Sequence, residues 1–427
     1  MCDTAFQSAS PPAAVAEAMG HIYRRGMTTT SGGNISMCDE RGAIWITPSQ
    51  VDKGRLSAAD IACVKPDGRI EGRHPPSSEF PSHRQIYRAR PDVRSIVHAH
   101  PAGLVAFSIC HEVPDTAVLP DVRDLCGEVG YAPYEKSGSE ALGERIAAVF
   151  AEGRDCVLLE NHGIVVGGPD LDLAVRRFEA IELTARMLIR AKALGEVRAP
   201  ARPADSSTAP EQIEDQPPRG REASIARELC DFAHRIWRQT LTISGGGACS
   251  ARLDDGAFII SRRGADWRLM TEDDLLRVDP PERAAPAAGG PVAAVHGAIY
   301  RRHPEVGAII AATPPHATAF AVTGSPLDSH IMFESRLFLR DVVQMVGDGT
   351  EGGSEEIAGL VGPDRPAALL ARAGVLVLGA SIFEAFDRLE VLEATAAATL
   401  GARGVGRIIP LADGMMDGLP GGRDPGR

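Results

Sequence analysis

The sequence from His83 to Phe107 reads HRQIYRARPDVRSIVHAHPAGLVAF, and the sequence from His296 to Phe320 reads HGAIYRRHPEVGAIIAATPPHATAF. The two stretches align without a gap at an offset of 213 residues, and 11 of the 25 aligned positions are identical. Unrelated stretches of this length would share about one or two positions, so the similarity indicates a duplicated domain.

The similarity extends outward on both sides of these stretches. SGGNIS at 31–36 aligns with SGGGAC at 244–249, and AVRRFEAIE from Ala174 aligns with AFDRLEVLE from Ala385. Between the copies lies a segment rich in Pro, Ser, Asp and Glu, which cannot bury enough apolar surface to offset its ordering entropy. We therefore expect a first domain at 1–195, a flexible linker at 196–222, a second domain at 223–410 and a loose tail at 411–427.

Composition excludes several classes of function. The chain has 427 residues, of which 44% are hydrophobic, and its net charge of −12 argues against binding to nucleic acid or to a membrane surface. The first residues do not have the pattern of a secretory signal, so we expect none, and no run approaches roughly 20 apolar residues. None of the eight cysteines forms a CxxC pair, so we expect reduced thiols and a cytoplasmic location.

Three histidines are candidate metal ligands. His98 and His100 lie two residues apart in the strand-like run SIVHAH, and alternation along a strand places both imidazoles on one face. His162 lies in NHG, at a turn between two apolar segments. Three imidazoles suit zinc and similar first-row ions and leave a position open for substrate. The alternative is that these are unrelated polar residues near strand ends, since a single histidine is more often structural.

Polar residues around these histidines suggest a substrate site. Glu79 is a candidate general acid or base, or else a first-turn glutamate favoured by the helix dipole, with Ser77 or Ser78 as the N-cap. The segments SGGNIS at 31–36 and TPS at 47–49, together with Ser77 and Ser78, offer amides and hydroxyls for an anion. Ordinary turn chemistry explains any single one of these segments equally well.

Taken together, these motifs resemble the class II aldolase/adducin family. The motifs that carry the resemblance follow one another in the order SGGNIS, ITPS, PSSEFPSH, HAHP, PY at 133–134 and NHG. The resemblance implies an α/β fold, a three-layer α/β/α sandwich with a mainly antiparallel central sheet, here duplicated in tandem. It implies that His98, His100 and His162 bind a metal, and that Glu79 and Tyr134 move protons. It assigns substrate binding to six further residues: Gly33, Asn34, Thr47, Ser49, Ser77 and Ser78.

The activity implied by the resemblance is that of a metal-dependent carbon–carbon lyase. It would perform aldol-type cleavage of a small hydroxy-carbonyl or sugar-derived substrate through a metal-stabilised enediolate. One divalent ion is expected, Zn2+ first, with Fe2+, Mn2+ or Co2+ as alternatives. Gln50 stands where the sugar-phosphate aldolases of the family usually have glycine, which favours a carboxylate over a phosphate. Two alternatives stay open: a decarboxylase of a keto or hydroxy-aromatic acid, and a non-catalytic adducin-like interaction module.

The second copy has lost these residues. Gapless alignment pairs His98 with Ala311, His100 with Thr313, Glu79 with Val292, Asn34 with Gly247 and His162 with Ala373. We therefore expect one metal site per chain. Because the family commonly assembles around a four-fold axis, we also expect a homodimer that forms a pseudo-tetramer of domains.

Overall fold

The structure is a computed structural model that describes residues 5–6, 9–198, 221–243, 247–279, 290–345 and 353–411. It divides into two compact units, one formed by Met1–Ala117 and Val122–Arg186 and the other by Val118–Asp121 and Met187–Arg427. Within the described ranges, no helix is long and apolar enough to span a membrane.

The first half alternates short strands with helices. Its elements are α1 (Pro11–Arg24), β1 (Asn34–Cys38), β2 (Ile44–Ile46), β3 (Ala62–Val64), β4 (Ile70–Glu71), α2 (Phe80–Ala89), β5 (Ser95–Ala99), α3 (Ala102–Ile109), α4 (Pro120–Cys126), β6 (Val129–Ala132), α5 (Glu140–Ala151), β7 (Cys156–Leu159), β8 (Ile164–Gly168) and α6 (Leu171–Lys192).

These strands form one eight-stranded sheet in the order β4-β3-β2-β1-β5-β8-β7-β6. Every neighbouring pair is antiparallel except β6 and β7. The residues of β5, β7 and β8 are all buried, because these strands lie inside the sheet and both of their faces are covered.

Helices cover both faces of this sheet. Ile96, Val157 and Val165 pack with Ile86 of α2 and Phe150 of α5 in one apolar cluster. The alternate strand residues point to the opposite face, and Val97, Leu158 and Val166 are also fully buried there. The expected three-layer α/β/α arrangement with a mainly antiparallel sheet is therefore confirmed.

The second half repeats this architecture. Its elements are α7 (Arg221–Arg238), β9 (Ala248–Arg252), β10 (Phe258–Ser261), β11 (Leu275–Val278), α8 (Gly290–Arg302), β12 (Ala308–Ala312), α9 (Pro315–Thr323), α10 (Phe333–Leu339), β13 (Val342–Met345), α11 (Gly353–Leu360), β14 (Ala367–Leu370), β15 (Gly374–Gly379) and α12 (Ile382–Val405). Seven strands form a sheet in the order β11-β10-β9-β12-β15-β14-β13, and the buried residues of its two faces form two apolar clusters. The tandem duplication is confirmed.

Most of the predicted linker and tail, residues 199–220 and 412–427, lies outside the described residues. At the linker's end, Arg221 and Glu222 already belong to the first turn of α7. Glu222 is favoured there by the helix dipole, and its carboxylate also accepts a hydrogen bond from Arg277. The first helix described after the linker therefore begins at Arg221.

Candidate metal centre

The three predicted histidines meet at one point of the first sheet. His98 lies in the buried strand β5, His100 follows that strand, and His162 lies in the turn that joins β7 to β8. One ring nitrogen of each lies within 4.8 Å of those of the other two. The Nε2 atoms of His98 and His100 are 3.1 Å apart, so both rings do point to the same side.

Local geometry explains why NHG places His162 at this point. Asn161 adopts a left-handed conformation with φ of 52°, which asparagine tolerates better than most residues. A Cβ atom on Gly163 would lie 2.5 Å from the carbonyl oxygen of Ala99, so glycine is required there. The hydroxyl of buried Ser108 accepts a hydrogen bond from the His162 amide at 2.9 Å and fixes the turn.

Glu79 adjoins the histidines but is not part of a helix turn. It lies at the N-cap of α2, and its side chain does not cap the helix, so the predicted N-caps Ser77 and Ser78 are wrong. The reason is that the Ser77 hydroxyl instead accepts a hydrogen bond from the Glu79 amide at 3.3 Å. The Glu79 carboxylate lies 2.9 Å from His98 Nε2 and 3.4 Å from His162 Nε2.

Electrostatics keep this carboxylate ionised. Burial alone would raise the pKa of Glu79, but the charge of His98 and its hydrogen bond, with further help from Ser137 and His162, lower the pKa below its ordinary value. Burial first, and then the neighbouring histidines, lower the pKa of His100 to about 3 and that of His162 to about 4. At neutral pH His100 and His162 are therefore neutral. Burial would also lower the pKa of His98, but the charge of Glu79 and its hydrogen bond, together with the bond to Ile164, raise that pKa above its ordinary value.

This donor set fits a divalent cation. Nδ1 of His98 donates a hydrogen bond to the Ile164 carbonyl oxygen at 2.9 Å, which in the neutral ring leaves a lone pair on Nε2. That lone pair faces Nε2 of His100 and the carboxylate of Glu79. Electron pairs that converge in this way repel one another unless a positive charge lies between them. Three imidazole nitrogens with an ordered outer partner are typical ligands of zinc and related ions.

The segments that carry the predicted substrate-binding residues contact one another or the strand of His98. Gly33 lies close to the backbone of His98 and Ala99. The loop 47–49 is joined to 76–78, since the Ser77 amide donates to the Thr47 carbonyl oxygen and the Ser49 hydroxyl accepts from the Ser78 amide.

Several of these side chains already have partners within the protein. The Thr47 hydroxyl accepts from the Ile35 amide. Asn34 uses its amide nitrogen to bind Glu79 at 2.7 Å and its amide oxygen to bind His83. The hydroxyl of Ser78, by contrast, has no hydrogen-bond partner among the residues described.

Tyr134 lies apart from these contacts. Its side chain is 64% exposed, and its backbone amide donates to the Glu160 carboxylate at 3.1 Å. No described residue hydrogen-bonds its hydroxyl. The structure of one chain therefore leaves this tyrosine free to contact a further molecule.

Sequence reasoning missed three residues that contact the site or its lining. Ser137 donates a hydrogen bond to Glu79 at 2.6 Å, and Ser139, two residues later, is the N-cap of α5. His83 binds Asn34, and the ammonium group of Lys53, only 2% exposed, binds the Pro48 carbonyl oxygen. The contact of Ser137 could not be predicted because this serine lies far from Glu79 along the chain. Lys53, by contrast, lies only four residues after TPS, and this proximity was a usable signal.

The second copy brings no such group of ligands together in its described part. Strand pairing places Ala311 where the first copy has His98, because β12 pairs with β9 as β5 pairs with β1. The same register pairs Ala311 with Ala248, so the counterpart of Asn34 is Ala248. The gapless alignment with Gly247 was wrong by one residue, since the copies differ by one residue in the loop before the strand.

Comparison with known proteins gives consistent matches. The family model described as "Class II Aldolase and Adducin N-terminal domain" matches residues 13–189 and 227–400. The chain is 34% identical over 179 residues to 5-deoxy-D-ribulose 1-phosphate aldolase of Bacillus thuringiensis, covering 40% of this chain and 80% of that protein. It is 32% identical over 170 residues to 3-oxo-tetronate 4-phosphate decarboxylase of Haemophilus influenzae, covering 39% and 80%. A solved L-fuculose 1-phosphate aldolase matches with 31% identity and a TM-score of 0.42, over 45% of this chain and 92% of that one.

Proposed function

Since this chain belongs to the family of class II aldolase and adducin N-terminal domains, we propose that its first half is a metal-dependent carbon–carbon lyase acting on a small hydroxy-carbonyl substrate. The observation that carries the proposal is the convergence of His98, His100 and His162 next to an ionised, hydrogen-bonded Glu79. Relatives named as aldolases and as decarboxylases support this class of reaction.

The three histidines would hold one divalent ion, with zinc as the first choice. When bound, such an ion supplies Lewis-acid polarisation of a substrate carbonyl. The lowered pKa values of His100 and His162 keep both imidazoles neutral, so that each has a nitrogen lone pair for the ion. Hydrogen bonds from Asn34 and Ser137 then hold the two carboxylate oxygens of Glu79 in fixed positions.

Glu79 would carry the proton that the substrate needs. When a carbon–carbon bond next to a carbonyl breaks, the electron pair stays on the carbon beside that carbonyl, and this carbon must then gain a proton. In an aldol-type cleavage the substrate hydroxyl loses a proton as its carbon becomes a carbonyl. An ionised carboxylate at the edge of the histidine cluster is positioned to take up that proton and return it to the carbon. The exposed Tyr134 hydroxyl would exchange a proton with a substrate oxygen in a neighbouring site.

Decarboxylation is the second candidate, and Gln50 favours it. Gln50 is exposed and adopts a left-handed φ of 56°, and the corresponding residue of the second copy is Gly264 with φ of 77°. A glycine in this conformation lets an anion approach the backbone closely, whereas a side chain restricts that approach. A substrate whose anionic group is a carboxylate would suit this loop better than the phosphate named in the relatives above.

The experiment that tests the proposal combines product analysis with one substitution. The metal-loaded protein is incubated with hydroxy-carbonyl and keto-acid compounds, and NMR reports aldehyde or CO2 release, which separates the two reactions. Glu79→Gln should retain the metal but lower turnover by about 10²–10⁴-fold, whereas Glu144→Gln, a change at an exposed position of α5, should be neutral. A purified protein that binds no metal and cleaves no compound would instead support a non-catalytic interaction module.

A further inference from the structure

A buried chain of hydrogen bonds leads away from Glu79 into the core. Asn34 Nδ2 lies 2.7 Å from the Glu79 carboxylate, and Asn34 Oδ1 is bonded to His83 Nε2. On the other side of the ring, His83 Nδ1 lies 2.7 Å from the Ser36 hydroxyl, which lies 2.7 Å from the Tyr87 hydroxyl. Asn34, Ser36 and His83 are 3%, 0% and 1% exposed, so the middle of this network is shielded from bulk solvent.

We propose that His83 is a positioning residue that fixes the amide of Asn34 and thereby the orientation of Glu79. The inference rests on the proposed role of Glu79 in proton transfer. His83 itself lies outside the three-histidine cluster, and nothing in the sequence pattern had assigned it a role.

The chemistry of the groups in this hydrogen-bond network determines which atom donates and which accepts in each bond. An ionised carboxylate only accepts, so Asn34 must donate through Nδ2 and accept through Oδ1. His83 Nε2 must therefore carry the proton, which leaves Nδ1 to accept from the Ser36 hydroxyl, and Ser36 accepts in turn from Tyr87. A neutral His83 is consistent with burial, which lowers its pKa to about 3. All donors thus point toward Glu79, an arrangement in which neighbouring bonds strengthen one another.

The amide of Asn34 is the critical link in the chain. An asparagine side chain can rotate so that oxygen and nitrogen exchange places, and only its hydrogen-bond partners select one orientation. Without the Nε2 proton of His83, the reversed amide would direct its oxygen at the Glu79 carboxylate and repel it. His83 therefore acts on Glu79 through the choice of this orientation.

The second copy separates the structural part of this network from the functional part. Ser250 lies 2.8 Å from His296 Nδ1 and 2.7 Å from the Tyr300 hydroxyl, which repeats the inner three residues of the first copy. Ala248 replaces Asn34, and the buried Nε2 of His296 has no hydrogen-bond partner among the described residues. The inner residues therefore serve the fold in both copies, and the outward link exists only where Glu79 is present.

The first test reads the tautomer and needs no substrate. In the full-length protein labelled with 15N-histidine, NMR should show His83 protonated on Nε2, with the downfield proton shift of a strong hydrogen bond. Asn34→Ala removes the acceptor and should move this signal upfield while the His296 signals stay in place. A proton on Nδ1 of His83, or a signal that Asn34→Ala leaves unchanged, would overturn the proposal whether or not the protein is a lyase.

The second test compares the two copies in the same chain. His83→Leu and His296→Leu should lower the melting temperature to a similar extent, but only His83→Leu should reduce kcat, by about 10–100-fold with little change in KM. His83→Gln, which keeps a donor near the Nε2 position, should recover most of the loss. Equal losses of kcat in the two leucine variants would show a merely structural role. If His83→Leu does not fold, Asn34→Ala replaces it, with the same expected loss of kcat.

Discussion

Replacing Lys53 with methionine should remove a pH-dependent gain in the stability of the first domain. Lys53 is 2% exposed, and burial lowers its pKa from 10.5 to about 8. The unfolded chain therefore binds more protons than the folded one between these values, and stability rises as the pH increases from about 8 to 10.5. The full difference corresponds to about 3 kcal/mol at 1.36 kcal/mol per pH unit. Between pH 7.5 and 10 the gain amounts to about 2 kcal/mol.

Urea unfolding at these two pH values measures the gain. Trp45 is the only tryptophan of the first half, so its fluorescence reports on that half when Trp237 and Trp267 have been changed to phenylalanine. In this background Lys53→Met should lose about 2 kcal/mol of the rise with pH, whereas Lys136→Met, at an exposed position, should keep it. A Lys53→Met protein whose stability rises with pH as steeply as that of its parent would refute the reasoning.

Three further outcomes follow from the site and from the duplication. Elemental analysis should find about one divalent ion per chain, and the double variant His98→Ala/His100→Ala should lose it, while two ions per chain would contradict a single site. Gln50→Gly should raise the free energy of unfolding by about 0.5–1 kcal/mol, because glycine adopts a positive φ more readily. The same variant should be protected more strongly against thermal unfolding by inorganic phosphate. If phosphate protects the variant no better than the parent, the argument that the loop prefers a carboxylate fails. Light scattering should find two chains per particle, as a pseudo-tetramer of domains requires, and a monomer would exclude that assembly.

The sequence predicted well those features of the structure that neighbouring residues determine. The strand at 95–99 lies within the run SIVHAH, where β-branched residues favour a strand, and the helix expected near Glu79 begins at Phe80. Strand alternation alone placed His98 and His100 on one side. These are properties of neighbouring residues, which the order of the chain displays directly.

Contacts between distant segments could not be predicted in this way. His162 joins the other histidines because β8 pairs with β5, and that pairing is a property of the whole sheet. Ser137 reaches Glu79 from 58 residues away. The gapless comparison of the copies also missed a one-residue shift before β9, which only the strand register reveals.

Tandem copies allow fold and function to be told apart within one chain. Both copies cap a helix with a glutamate: Glu182 accepts from two amides at the start of α3, and Glu393 does so at α9. These helix caps are also present in the second copy, in which every metal-ligand position has changed, so they belong to the fold and do not depend on the metal site. Lys53 behaves differently, since its counterpart is the fully buried Trp267. A buried ammonium destabilises a domain, and an apolar ring at this position leaves the same architecture intact. The architecture therefore does not require a lysine at this position, and in the copy with the intact histidines the lysine binds the Pro48 carbonyl of the 47–49 loop.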